Sequence, residues 1–263
     1  MIVLDNGLYL GNVKKAISIE GLKINYTTYK KDKSFETMHS HANPHFSFVL
    51  SGGNLEKRKN RELQRLPGKL TFYHSDELHQ NIYAMSGSGH LNIEFEPEFF
   101  VRHDINETTL SAISDNDPSS KFSLLKVYKE LFIRDDVSEI NAHSILLDLV
   151  QKCRLPFRQK PVWIEKLDHY LRGHLDETLS LNLLSAEIGV HPITISKHFP
   201  KYFSCTLGEY IRKLRTERAI QLIKASSLSL TAVGTSCGFT DQSHFIRNFK
   251  SYTSFLPKEF RDS

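Results

Sequence analysis

From the N-terminus to about residue 110, apolar and polar positions alternate in short bursts. KINYTTYK (23–30), HFSFVLSG (45–52), KLTFYH (69–74) and HLNIEFE (90–96) are rich in β-branched and aromatic residues, and Gly, Asn and Pro separate them. A period of two with such breakers predicts strands joined by turns. Within HFSFVL, Phe46, Phe48 and Leu50 share one face, and Ser47 and Val49 the other. The charged stretch LEKRKNREL (55–63) predicts a solvated hairpin or edge strand. At SDNDPSS (114–120) turn and helix-start residues cluster, and the period changes. Phe122, Leu125, Leu131 and Phe132, then Ile140, Ile145, Leu146, Leu149 and Val150, predict two amphipathic helices. LPFRQKP (155–161) has a linker's composition. From Trp163 onward the pattern is almost wholly helical. The chain therefore divides into a strand-rich domain at 1–115, a helical pair at 116–154, a linker at 155–162 and an all-α domain at 163–263.

The totals agree with two globular domains. The chain has 263 residues, 40% hydrophobic and 24% charged, which is ordinary for a folded protein. No apolar run is long enough to span a bilayer, and MIVLDNGLYLGNVKK does not read as a secretory signal. A cytoplasmic protein with no membrane partner is expected. Cys153, Cys205 and Cys237 are odd in number and widely spaced, which argues against a disulfide framework. Each is expected to be a small buried residue. From Trp163 to Ser263 there are 13 Lys+Arg against 10 Asp+Glu. That mild excess agrees with a polyanion partner at this end.

Two segments near the C-terminus repeat one pattern. They are SLNLLSAEIGVHPITISKHFPKYF (180–203) and SLTAVGTSCGFTDQSHFIRNFKSY (229–252). Ser180 and Ser229 are placed to cap a helix. Ser185 and Gly234 are small enough for a second helix to cross closely. Gly189 and Gly238 end the first helix, where left-handed backbone favours glycine. Ile195 with Phe199, and Phe245 with Phe249, form the buried stripe of a second helix. Each copy predicts a helix-turn-helix, and TLGEYIRKLRTERAIQLI (206–223) predicts a long helix between them.

These segments, with GFTDQSHFIRNFKSYTSFLPKEFR (238–261), resemble the AraC/XylS family of transcription regulators over about 165–261. The resemblance implies an effector-responsive regulator, usually an activator, and not an enzyme. It implies double-stranded DNA, RNA polymerase, a small-molecule effector and a second copy of the chain as partners. Ser204 and Ser254 depart from the family's usual glycine, and His191 from its usual capping serine. The second helix of each unit would enter the major groove. That assigns DNA contact to Ile193, Ser196 and Lys197, and to Gln242, Ser243, His244 and Arg247, with Lys250 on the phosphate side. Arg and Lys suit guanine O6 and N7, Gln suits adenine, and an apolar side chain suits the thymine methyl.

HSHANPHFSFVLSGG (39–53) remains. The spacing of His39, His41, His45 and Gly52, with His79 further on, resembles the motifs of the cupin-like sensor domain common in that family. On this likeness the chain is a mixed α and β protein: a cupin-like β-barrel, a helical pair, then a tandem helix-turn-helix domain. The expected effector pocket is lined by His39, His41, His45, Phe46, Phe48, Phe72, Tyr73 and His79, although each aromatic suits barrel core equally well. No catalytic residue and no cofactor are expected. The alternative is a transition metal on His39, His41, His45 and His79, and with it a dioxygenase or isomerase carrying a DNA-binding tail.

Overall fold

The computed structural model describes residues 2–30, 37–59, 61–85, 87–113, 115–153 and 160–263. It divides into two compact units, Met1–Leu155 and Pro156–Ser263. Of the expected linker, residues 155–159 lie outside the described residues, as does the side chain of Cys153.

Unit 1 contains β1 (Ile2–Leu4), β2 (Asn12–Ile19), β3 (Leu22–Tyr29), β4 (His39–His41), β5 (His45–Ser51), β6 (Asn54–Arg58), β7 (Arg61–Arg65), β8 (Leu70–Tyr73), β9 (His79–Ala84) and β10 (Ser88–Phe95). Helices α1 (Pro97–His103), α2 (Glu107–Ser111), α3 (Pro118–Ile133) and α4 (Ser138–Cys153) follow. The strands form two five-stranded sheets, ordered β1-β4-β9-β6-β7 and β2-β3-β10-β5-β8.

In the second sheet the pleat sorts side chains sharply. Asn92 lies opposite both Asn25 and Ser47, and His45 opposite Tyr73. The other face carries Ile93 opposite both Ile24 and Phe46, and Leu91 opposite Phe48. Both faces are buried, and β10 is buried at every position. The apolar face is covered by helices: α3 and α4 meet β2, α3 meets β3 and α2 meets β8. Tyr26 meets Tyr128 there at 5.3 Å between ring centroids, and Phe95 meets Phe99 at 5.2 Å. Phe46 and Phe48, each 1% exposed, contribute roughly 1.5–3 kcal/mol apiece by burial. The hydrophobic core of unit 1 therefore lies between sheet and helices, and the inner sheet face is left polar.

Two expectations need correction. The stretch before residue 115 is not only strands and turns, because α1 and α2 lie within it. Pro97 fits the first turn of α1, and left-handed Asp104 (φ +47°) ends it. Phe132 and Ile140 are 44% and 62% exposed and so fall outside the buried stripes of α3 and α4. They flank the turn where left-handed Arg134 (φ +52°) stops α3.

Unit 2 is helical: α5 (Val162–Gly173), α6 (Leu181–Ile188), α7 (Pro192–His198), α8 (Pro200–Phe203), α9 (Leu207–Ala225), α10 (Leu230–Ser236), α11 (Gln242–Thr253) and α12 (Pro257–Asp262). Ile164, Leu167, Leu184, Ile195 and Phe199 pack with Tyr210, Ile211 and Leu214 from the first half of α9. The later part of α9 buries Ile220 and Ile223, and helices α10, α11 and α12 all pack on α9. One long helix thus serves both halves. Its Tyr210 hydroxyl donates to Asp168 at 2.7 Å, and Arg172 bonds Tyr210 and Glu217, tying α5 to α9. Cys205 and Cys237 are buried free thiols, and burial pushes that of Cys237 up to about 12.

Candidate nucleic-acid interface and polar cavity

The two repeats fold alike. Ser180 Oγ accepts from the Leu183 amide at 3.2 Å, and Ser229 Oγ from the Ala232 amide at 3.1 Å. Gly189 (φ +74°) ends α6, and Gly238 (φ +83°) follows α10. At Gly234 an added Cβ would stand 3.1 Å from Phe245 Cδ1, so α10 and α11 cross as closely as the pattern implies.

The second helix of each pair starts on its own cap. Asp241 Oδ1 accepts from the His244 amide at 2.7 Å, and that bond holds its carboxyl below the ordinary carboxylate range. His191 caps α7 where serine is usual: its Nδ1 accepts from the Ile193 amide at 3.3 Å. Beyond these caps Ile195, Phe245 and Phe249 turn inward and are fully buried.

The remaining positions face outward. Ser196, Lys197, Gln242, Ser243, Arg247 and Lys250 are exposed, and Ile193 is 67% exposed. Ile193, Ser196 and Lys197 share one face of α7 by their spacing. Among the described residues no ion pair engages Lys197, Arg247 or Lys250, so their charges face solvent. His244 differs: it is half-buried, its ring packs edge-on to Phe239 at 5.6 Å, and its Nδ1 lies 3.3 Å from Thr240 Oγ1.

In unit 1 residues from both sheets surround a small cavity. His39 and His41 fall on one face of β4, and His79 lies directly opposite His39 on β9. His45 and Ser47 face the cavity from β5, Tyr73 from β8, and His90 and Asn92 from β10. Tyr9, Leu10, Tyr29, Arg65 and Asn81 complete its wall. The free volume is about 20 Å³, room for one water-sized sphere.

Phe46, Phe48 and Phe72 do not line it, contrary to expectation. They pair across the sheet on the opposite, apolar face, where Phe46 packs on Phe72 and Phe95. The polar lining from Arg65, His90, Asn92 and Tyr9 is what sequence reasoning missed. The one local signal was the alternation in HLNIEFE, which a sequence alone assigns to solvent.

Burial sets the cavity's electrostatics. It lowers His39 and His79 to about 4, and, with the neighbouring His79, lowers His41 to about 3. His45 falls well below its usual range for the same first reason. The four rings are therefore neutral at neutral pH. Arg65, 3% exposed, donates to the Ser47 carbonyl at 2.9 Å and pairs with buried Glu56. The Tyr73 hydroxyl also donates to Glu56.

Residues 184–263 match the family model described as a helix-turn-helix domain. The C-terminal unit therefore carries a helix-turn-helix domain. GbdR, a transcriptional regulator of Pseudomonas aeruginosa, is 30% identical over 98 residues, 37% of this chain and 27% of GbdR. The chain thus matches little more than a quarter of that relative's length. The transcriptional activator RhaR of Escherichia coli is 22% identical over 247 residues, covering 85% of this chain and 86% of RhaR. These relatives are named as regulators of transcription, and neither as an enzyme. Among solved structures, an apo ToxT variant of Vibrio cholerae covers 95% of this chain and 99% of its own, at 14% identity and a TM-score of 0.40. The DNA-binding domain of AdpA, solved with a target DNA, covers 38% of this chain and 89% of its own, at 19% identity and a TM-score of 0.36. TM-scores this low do not bear on the fold. Among the described residues, no helix is long and apolar enough to cross a membrane.

Proposed function

We propose that this chain is a cytoplasmic, sequence-specific regulator of transcription, acting as an activator through RNA polymerase. The AraC-type unit binds double-stranded DNA. One observation carries this reading: two capped helices, α7 and α11, present exposed faces while their other sides are buried, that of α7 in the core cluster that includes the first half of α9 and that of α11 against α9. Each lies in its own major-groove segment. Ile193, Ser196 and Lys197 read one box, and Gln242, Ser243, His244 and Arg247 the next, about 34 Å or one helical turn away. Arg247 and Lys197 donate to guanine, Gln242 pairs with adenine, and Ile193 packs on a thymine methyl. Lys250 meets phosphate. His244 contributes least, because its ring is already packed on Phe239.

Unit 1 is the sensor, a cupin-like barrel whose effector enters the cavity lined by His39, His41, His45, Tyr73 and His79. Its small free volume supports a small effector. The α3–α4 pair joins two copies, with Phe132, Ile133, Val137 and Ile140 as the exposed apolar residues available for it. The effector favours one of two arrangements of the dimer by its differential affinity for them.

Selection of bound fragments from random genomic DNA tests the reading. The expected fragments share two boxes about ten base pairs apart per subunit. Fragments with no common sequence would refute it.

A further inference from the structure

The inter-sheet cavity carries a histidine cluster that nothing in DNA recognition uses. One ring nitrogen from each of His39, His41 and His79 lies within 4.8 Å of the other two. The strand register builds this grouping. His39 and His41 are two apart on β4, and His79 is the cross-strand partner of His39, so all three rings leave the same face. Their centroids are 4.3–5.5 Å apart. All three residues are at least 96% buried.

The outer contacts of the rings point the same way. His79 Nδ1 lies 3.0 Å from the Glu77 carbonyl, and His39 Nδ1 lies 3.4 Å from the Thr37 carbonyl. A carbonyl only accepts, so each Nδ1 carries the proton and each Nε2 keeps its lone pair. Donation of the outer N–H to a backbone carbonyl is how ligating histidines are usually held. His41 Nδ1 is buried without a hydrogen-bond partner. A buried polar atom left so is costly unless something meets it.

We propose that His39, His41 and His79 bind one divalent first-row transition ion of the Zn²⁺ class, and that this ion is the effector of unit 1. Three neutral imidazoles with no thiolate suit Zn, Ni or Cu. The free volume of about 20 Å³ is enough for an ion or a water. With metal–nitrogen bonds of about 2.0–2.1 Å, tetrahedral nitrogens stand roughly 3.3 Å apart, so binding draws the rings inward. That movement couples β4 to β9, and β1 pairs with β4. Arg65 shares the cavity, but its charge is countered by Glu56 at 3.4 Å. His45 stacks on Tyr73 at 4.6 Å and packs on His41 at 4.3 Å, but stands 6.5 Å from His79 by ring centroid, and its ring nitrogens do not join the group of three. The effector role rests on the regulator reading; the site itself does not.

The test uses the full chain, stripped with chelator and titrated with Zn²⁺ alone against a chromophoric competitor. One ion per chain is expected. His39→Asn, His41→Asn and His79→Asn should each weaken binding by more than the roughly 10–100-fold that loss of an outer-shell partner brings. His169→Gln, at an exposed histidine of unit 2, should leave it unchanged. Binding that persists in the triad variants, or no saturable binding in the wild type, overturns the site. If the triad variants do not fold, zinc-edge X-ray absorption of the wild-type complex decides: three or more imidazoles support the site, and fewer overturn it. Affinity for a genome-selected fragment is then compared with and without Zn²⁺. A change of about fivefold or more supports the effector role, and a smaller one removes it. Failure to select any common sequence, with one ion still bound to the triad, would sink the regulator reading and leave the metal site standing.

Discussion

Gly238→Ala should damage unit 2 far more than Gly189→Ala, although both glycines follow the first helix of a repeat. The two share left-handed backbone, φ +83° and +74°, which costs a residue with a Cβ roughly 1–2 kcal/mol. Their surroundings differ. A Cβ at Gly189 meets nothing within 4 Å. A Cβ at Gly238 would stand 2.1 Å from the Leu175 carbonyl oxygen and 2.9 Å from Arg215 Nε and Nη2. Those atoms belong to one clasp, in which Arg215 donates to the carbonyls of Leu175 and Glu177, both at 2.9 Å. Hydrogen bonds from a charged donor contribute roughly 1.5–3 kcal/mol each. Displacing at least one and adding the backbone strain gives about 3 kcal/mol or more for Gly238→Ala, against about 1–2 kcal/mol for Gly189→Ala. The chain's one tryptophan, Trp163, packs against the core of unit 2, so its fluorescence follows the unfolding of that unit in urea. Arg215→Ala adds a check: combined with Gly238→Ala it should cost much less than the two single losses together. If the two glycine variants shift the transition equally, or Arg215→Ala adds fully to Gly238→Ala, the clasp argument is wrong.

Three further outcomes are expected. Ser204→Gly and Ser254→Gly should each stabilise unit 2 by about 0.5–1 kcal/mol in the same assay, because both serines hold left-handed backbone at φ +52° and +65°. His90 is 3% exposed between Ser88 and Ser47, and burial holds its pKa well below 6.5. The unfolded chain therefore binds a proton that the folded one does not, and stability falls as pH drops below 6.5. His90→Gln should flatten the pH dependence of the unfolding free energy of unit 1 there, followed in urea by circular dichroism of its strands, by about one proton, or about 1.4 kcal/mol per pH unit. Arg247→Ala should cost about 1–3 kcal/mol of discrimination at one base position in competition binding. Uniform weakening across sequences would make Arg247 a phosphate contact instead.

Unit 2 is legible in the sequence because its signals are local. Ser180, Ser229 and Asp241 cap helices through amides three residues away, and Gly234 and Gly238 mark a crossing and a stop. His191 shows the limit: nothing in the sequence says that an imidazole nitrogen will take the serine's place. Unit 1 is legible only in its period. HLNIEFE gives His90, Asn92 and Glu94 one face, and polar alternation normally means solvent. Here that face is buried. Asn92 bonds Asn25, 67 residues away, and Glu94 accepts from the Gly7 amide, 87 residues away. Such distant partners leave no mark on the local pattern. The same blindness put Phe46, Phe48 and Phe72 in the pocket, when helices α3 and α4 draw the apolar face of that sheet outward. His39 and His41 share a face because H-x-H on a strand needs only the pleat.

The central claim is that α7 and α11 read neighbouring major-groove segments of one duplex. A footprint of the full chain on its best genome-selected fragment tests that most directly. The account predicts two protected boxes per subunit, one helical turn apart. In Lys197→Ala only one box should weaken, and in Arg247→Ala only the other. A single protected box, or both boxes fading together in either variant, would contradict it.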